Sequence, residues 1–137
     1  MENILIGYDA SPEAERALAR AGELGKAFGA HVVVFSVAPA IAPAGRGMGA
    51  IDPTDTPAEH AAQVERAVRR LAEYGLTAEP VTGVGHPAKA IADAVEERGI
   101  DLVVVGSRDL GAVERLLGGS VSDAVAHRAA CDVLIVR

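Results

Sequence analysis

The chain has 137 residues, 50% of them hydrophobic, and a formal net charge of −6 at pH 7. This length suits one compact domain spanning residues 1–137, and the composition supplies enough apolar surface for a core, which excludes overall disorder. Acidic and basic residues are interspersed, with no Lys/Arg stripe to track a phosphate backbone, and no apolar run approaches the roughly 18 residues of a membrane span, so neither nucleic acid nor a membrane is an expected partner.

The first element is predicted at "NILIGY", residues 3–8, with no basic region and apolar stretch of a secretory signal before it; a cytoplasmic location is the expectation. Ser11-Pro12-Glu13 then opens a helix with a capping residue, proline at the first helical position and an early acid, and Gly29 stands just past its end. "HVVVFSV", residues 31–37, is the second strand. Residues 38–58 hold four prolines and three glycines and are predicted as a long loop, either a surface insertion or a lid. Thr56-Pro57-Ala58-Glu59 has the spacing of a capping box and opens the second helix, which should end near Gly75.

"LTAEPVTG" (76–83), a helix from Pro87 to Gly99, "DLVVVG" (101–106), a helix opening at Ser120-Val121-Ser122-Asp123, and "DVLIVR" (132–137) complete the chain. Several strands are apolar without alternation, as strands covered on both faces are. Strands alternating with helices predict a doubly wound α/β domain, a mainly parallel five-stranded sheet with helices on both faces.

In such sheets ligands bind beyond the carboxyl ends of the strands. Asp9 follows the first strand, Gly106 to Asp109 the fourth, and Gly119-Ser120 leads into the last helix, where backbone N–H groups and the hydroxyls of Ser120 and Ser122 could meet an anion. The opposing reading is that Ser120 is an N-cap and Gly119 a turn residue. Other motifs fail on their details. Ala112 and Val113 stand where a P-loop from Gly106 requires Lys and Ser/Thr, and the acid following "GVGHPA" at the right distance, Asp101, begins a strand instead of ending one. His31, His60, His86 and His127 show no metal-ligand spacing and are expected at the surface or at helix ends. The single cysteine, Cys131, cannot form an internal disulfide and is expected to be a buried, inert thiol. No serine lies in a nucleophile elbow, and neither a catalytic residue nor a metal site is expected.

With these residues in view, the chain resembles the universal stress protein family. The nucleotide-binding members carry G-x2-G-x9-G-[S/T] after the fourth strand; here Gly106 opens the pattern and residues 110–118 separate position 109 from Gly119-Ser120. "NILIGYDASPEAERAL", "GHPAKAI", "DLVVVGSR" and "CDVLIVR" resemble family segments as well. The resemblance implies adenine-nucleotide binding, ATP or AMP with or without Mg²⁺, through Asp9, Val37, Gly106, Asp109, Gly119, Ser120, Val121 and Ser122. It further implies a homodimer joined through the C-terminal strand.

Asp109 replaces the second motif glycine. Two like charges about 4 Å apart repel by about 1 kcal/mol in water and roughly 4 at an effective dielectric of 20, so a triphosphate beside Asp109 is disfavoured unless Mg²⁺ or Arg108 intervenes. Two functions follow: a nucleotide-responsive dimeric regulatory module, or a nucleotide-independent dimeric scaffold with a degenerate pocket. A third, slow ATP hydrolysis, has only Asp9 and Asp109 to support it.

Overall fold

The computed structural model describes residues 1–40, 56–107 and 121–137. Among the described residues nine elements alternate: β1 (Asn3–Gly7), α1 (Pro12–Phe28), β2 (His31–Ala38), α2 (Pro57–Glu73), β3 (Ala78–Val84), α3 (Pro87–Arg98), β4 (Leu102–Gly106), α4 (Val121–Arg128) and β5 (Asp132–Val136). The five strands form one sheet in the order β3-β2-β1-β4-β5, and every neighbouring pair is parallel. The predicted fold class is therefore the observed one, with the parallel arrangement complete.

The helices start and stop where local chemistry directs. Ser11 Oγ accepts from Ala14 N at 3.1 Å and Thr56 Oγ1 from Glu59 N at 3.1 Å, each satisfying an N–H that the helix itself leaves open. Proline follows both caps, where a missing N–H costs nothing. At the other end of α1, Gly29 turns left-handed with φ 64° and returns its N–H to Gly25 O. The third strand begins at Ala78, two residues later than expected, because Gly75 and Leu76 are used to close α2 through N–H bonds to Ala72 O and Leu71 O.

Alternation along the strands divides the core in two. Ile4, Ile6, Val32, Val34 and Val104 face α1 and α2, which contribute Ala17, Leu18, Val64 and Leu71. Leu5, Val33, Phe35, Val103 and Val105 face α3 and α4, which contribute Ile91, Val95 and Val125. Ile4, Leu5 and Ile6 are all fully buried, which explains why β1 reads as an unbroken apolar run: it is covered on both sides. The edge strand β5 differs, since Val133, Leu134, Ile135 and Val136 are only half-buried.

The amino ends of β1 and β4 are tied by Asp101. Its carboxylate accepts from the backbone N–H groups of Glu2 at 2.7 Å and Asn3 at 2.8 Å, and these bonds hold its carboxyl below the usual carboxylate range. Asp101 thus lies at the opposite end of the sheet from the strand termini at which a dinucleotide ribose would be held.

Candidate functional site

The chain leaves β1 for α1 on one face and leaves β4 toward α4 on the other, so the sheet's switch point lies between β1 and β4. Here Gly7 is paired with Phe35 of β2 on one side and Val105 of β4 on the other. Tyr8 N continues the ladder with a 2.9 Å bond to Phe35 O, and Ser107 N extends β4 with a 2.7 Å bond to Val136 O. Asp9 comes next after Tyr8, and Val37, half-buried and paired with Gly83, lies two residues past Phe35. Asp9, Val37 and Gly106 are thus carried at the carboxyl ends of three adjoining strands.

Val121 and Ser122 form the start of α4; Val121 is exposed and Ser122 buried. Asp109, Gly119 and Ser120 lie outside the described residues, as does most of the predicted loop from 38 to 58. Ala38 itself ends β2, and Thr56 caps α2.

Gly106 has a packing reason that its place in a motif does not reveal. A Cβ on it would come within 2.5 Å of Glu13 C and 2.6 Å of Glu13 O, both backbone atoms of the first turn of α1. The absence of a side chain lets the positive end of α1 come down onto the end of β4, at the switch point.

The turn between β1 and α1 is held tightly. Asp9 Oδ1 accepts from Ser11 N at 3.0 Å, forming an Asx turn. Between them, Ala10 has φ 61°, the one positive φ of a non-glycine residue among those described. Left-handed backbone costs an L-residue roughly 1–2 kcal/mol, and such a residue persists only where its neighbours impose it.

One neighbour is Tyr8, 6% exposed, whose hydroxyl donates to Glu15 Oε1 of α1; Arg70 of α2 donates to Glu15 Oε2. Burial, then the Glu15 hydrogen bond and charge, push the phenol up to about 12 against the opposing charges of Arg70 and Arg66. An unfolded tyrosine ionises near 10. Below that pH both states keep the proton and the network contributes fully. As pH rises from about 10 toward about 12 the unfolded chain loses its proton first, so stability falls across that window. Near-ultraviolet absorbance of the native protein should show tyrosinate forming late, close to pH 12, in a step that Tyr8→Phe removes; ionisation of Tyr8 near pH 10 in folded protein would contradict the network.

A second polar contact lies under α2. Ser36 Oγ and His60 Nδ1 are 2.6 Å apart, and both residues are buried. His60 stands at a helix end, in the first turn of α2, as one of the two expected placements has it, but it is buried and not at the surface. A polar residue in the apolar run of β2 turns its side chain inward and needs a partner, and α2 supplies an imidazole. Cys131 is half-buried, and burial raises its thiol above the usual cysteine range, which agrees with an inert thiol. A further depression, lined by Gly25, Gly29, His31, Gly75 and Leu76, opens at the other end of the sheet, among the carboxyl ends of α1 and α2.

A model of the universal stress protein family matches residues 1–137. The chain belongs to the universal stress protein family. A universal stress protein of Thermus aquaticus is 35% identical over 145 aligned positions, covering 99% of this chain and 98% of the relative. One from Bacillus subtilis is 40% identical over 74 positions, which span 54% of this chain and 50% of that protein. A crystal structure of a universal stress protein in complex with cAMP superposes with a TM-score of 0.80 at 28% identity, covering 99% of this chain and 97% of that one.

Tyr8, Glu15, Arg70 and Ser36 are missing from the residues singled out in the sequence, and His60 appears there only among the histidines without metal-ligand spacing. Tyr8 directly precedes Asp9, and Ser36 interrupts an apolar strand, so both left a signal. Glu15 and Arg70 left none, because 55 residues separate them along the chain.

Proposed function

We propose that this universal stress protein is a single-domain, cytoplasmic, dimeric regulatory module that binds an adenine nucleotide at the β1/β4 switch point. The observation that carries this reading is the convergence of Asp9, Val37 and Gly106 at adjoining strand ends. The remaining motif positions, Gly119-Ser120 with Val121 and Ser122, precede and open α4, whose positive end suits phosphate. Support also comes from the similar protein crystallised with cAMP, an adenine nucleotide. Asp9 supplies an acceptor for the nucleoside end of the ligand, the backbone at Val37 borders the base, and the glycines admit the phosphates. The half-buried apolar edge of β5 suits pairing with a second copy, since an open apolar edge would otherwise invite aggregation.

Asp109 sets the choice between nucleotides in this reading. Its negative charge disfavours ATP more than AMP, because ATP brings added charge toward it. Asp109→Gly should tighten ATP by about tenfold, on the order of 1.4 kcal/mol, and AMP by less, whereas Gly119→Val should abolish binding of both. If Asp109 instead holds Mg²⁺, the same substitution weakens ATP in magnesium and leaves it unchanged in EDTA. Calorimetric titration of both nucleotides, with and without magnesium, separates these signs. The same glycine-to-aspartate replacement favours a second reading, a scaffold with a degenerate pocket, for which neither nucleotide binds under any condition.

A further inference from the structure

We infer that Tyr8 is a positioning residue, anchored through Glu15 to Arg70 of α2, that holds Ala10 in its left-handed conformation and thereby fixes Asp9 at the switch point. The inference rests on the reading of Asp9 as part of an adenine-nucleotide site.

The turn is pinned at both ends. On the strand side, Tyr8 N bonds Phe35 O at 2.9 Å, while the Tyr8 side chain is buried between the sheet and the two helices with its hydroxyl on Glu15. On the helix side, Ser11 O accepts from Glu15 N at 3.0 Å and Ser11 Oγ from Ala14 N at 3.1 Å. Glu15 therefore receives the Tyr8 hydroxyl through its side chain and holds Ser11 through its backbone, closing a ring of contacts around residues 9 and 10. Arg70 reaches the other carboxylate oxygen from α2 and keeps Glu15 facing Tyr8. The backbone of Ala10, at φ 61°, resists this arrangement, and the ring opposes its relaxation.

If the ring is cut, Ala10 relaxes in a fraction of molecules, the Asx bond from Ser11 N to Asp9 opens, and the apparent affinity falls by the fraction of competent turn that remains. Glycine at position 10 has no preference to relax, so it should remove the need for the anchor. This gives a signature that general destabilisation lacks: rescue of one substitution by another.

The test titrates AMP by calorimetry into the full-length protein and its variants, and measures hydrogen exchange of the Ser11 amide in the same proteins without nucleotide. Tyr8→Phe should weaken AMP and speed Ser11 exchange by about tenfold each, while Ala10→Gly alone stays within about twofold of the parent and the double variant within about threefold. Arg70→Met, at an exposed position tolerant of change, should act in the same direction as Tyr8→Phe by about threefold and covers the case in which Tyr8→Phe fails to fold. Tyr8→Phe indistinguishable from the parent in both measurements, or a double variant as impaired as Tyr8→Phe, would overturn the inference. If the parent itself binds no AMP, the nucleotide reading fails, and the exchange rates alone still decide whether Tyr8 holds the turn.

Discussion

Gly106→Ala should lower the free energy of unfolding by about 3 kcal/mol and should weaken nucleotide binding in the fraction that stays folded. The added Cβ meets the Glu13 backbone at 2.5 and 2.6 Å and Glu13 Cβ at 2.7 Å. No flexible side-chain tip can swing aside, so the first turn of α1 must lift from β4. Ser11, whose hydroxyl caps that turn and whose N–H holds Asp9, is carried with it. Stability and site geometry are thus coupled through one contact. Urea denaturation measures the first effect and calorimetry the second; an unchanged midpoint would mean that α1 does not rest on the end of β4.

The second large effect is expected beneath α2. His60→Ala should cost about 2–3 kcal/mol, because it empties a buried volume and takes the imidazole from Ser36 Oγ. Ser36→Ala, which leaves the buried imidazole without its hydroxyl partner, should cost about 1–3 kcal/mol. The two losses should not add, since each removes the same 2.6 Å contact. Ser36→Ala combined with His60→Leu, which removes both polar partners and keeps apolar volume, should recover much of the loss. Thermal or urea melts of the parent, the two single variants and the Ser36→Ala/His60→Ala double variant complete the cycle, with Ser36→Ala/His60→Leu as a fifth protein, and strict additivity of the two alanine substitutions would contradict a direct Ser36–His60 bond.

Much of the fold is legible from local chemistry. Ser11 and Thr56 cap the helices they were expected to cap, Gly29 and Gly99 follow the ends of α1 and α3, and the unbroken apolar runs of β1 and β4 are buried on both faces. These features act within a few residues, so a linear reading reaches them. The β3-β2-β1-β4-β5 order depends on which helices cover which face, and no short segment encodes it.

The site divides in the same way. Asp9 and Gly106 can be picked out because they follow apolar strands in a fold where such positions receive ligands. The reason for glycine at 106 is a contact with Glu13, 93 residues earlier in numbering, and only the packed helix reveals it. The burial of His60 at the start of α2 is hidden for a related reason. Its spacing relative to other histidines says nothing about a serine on β2, whereas Ser36 within "VVVFSVA" asks for a buried partner. The left-handed turn at Ala10 left no mark at all, since alanine is not among the residues, Gly, Asn and Asp, that signal that conformation; it is imposed by Tyr8, Glu15 and Ser11 together.

The central claim is that an adenine nucleotide binds at the β1/β4 switch point, and backbone amide NMR during an AMP titration tests it most directly. Binding there should shift the amides of Tyr8 to Ser11, Val37, Gly106 and Ser107, and Val121 and Ser122, and leave those of Gly25 to His31 and Gly75 to Thr77 at the far end of the sheet unmoved. No shifts at millimolar AMP, or shifts confined to the far end, would contradict it.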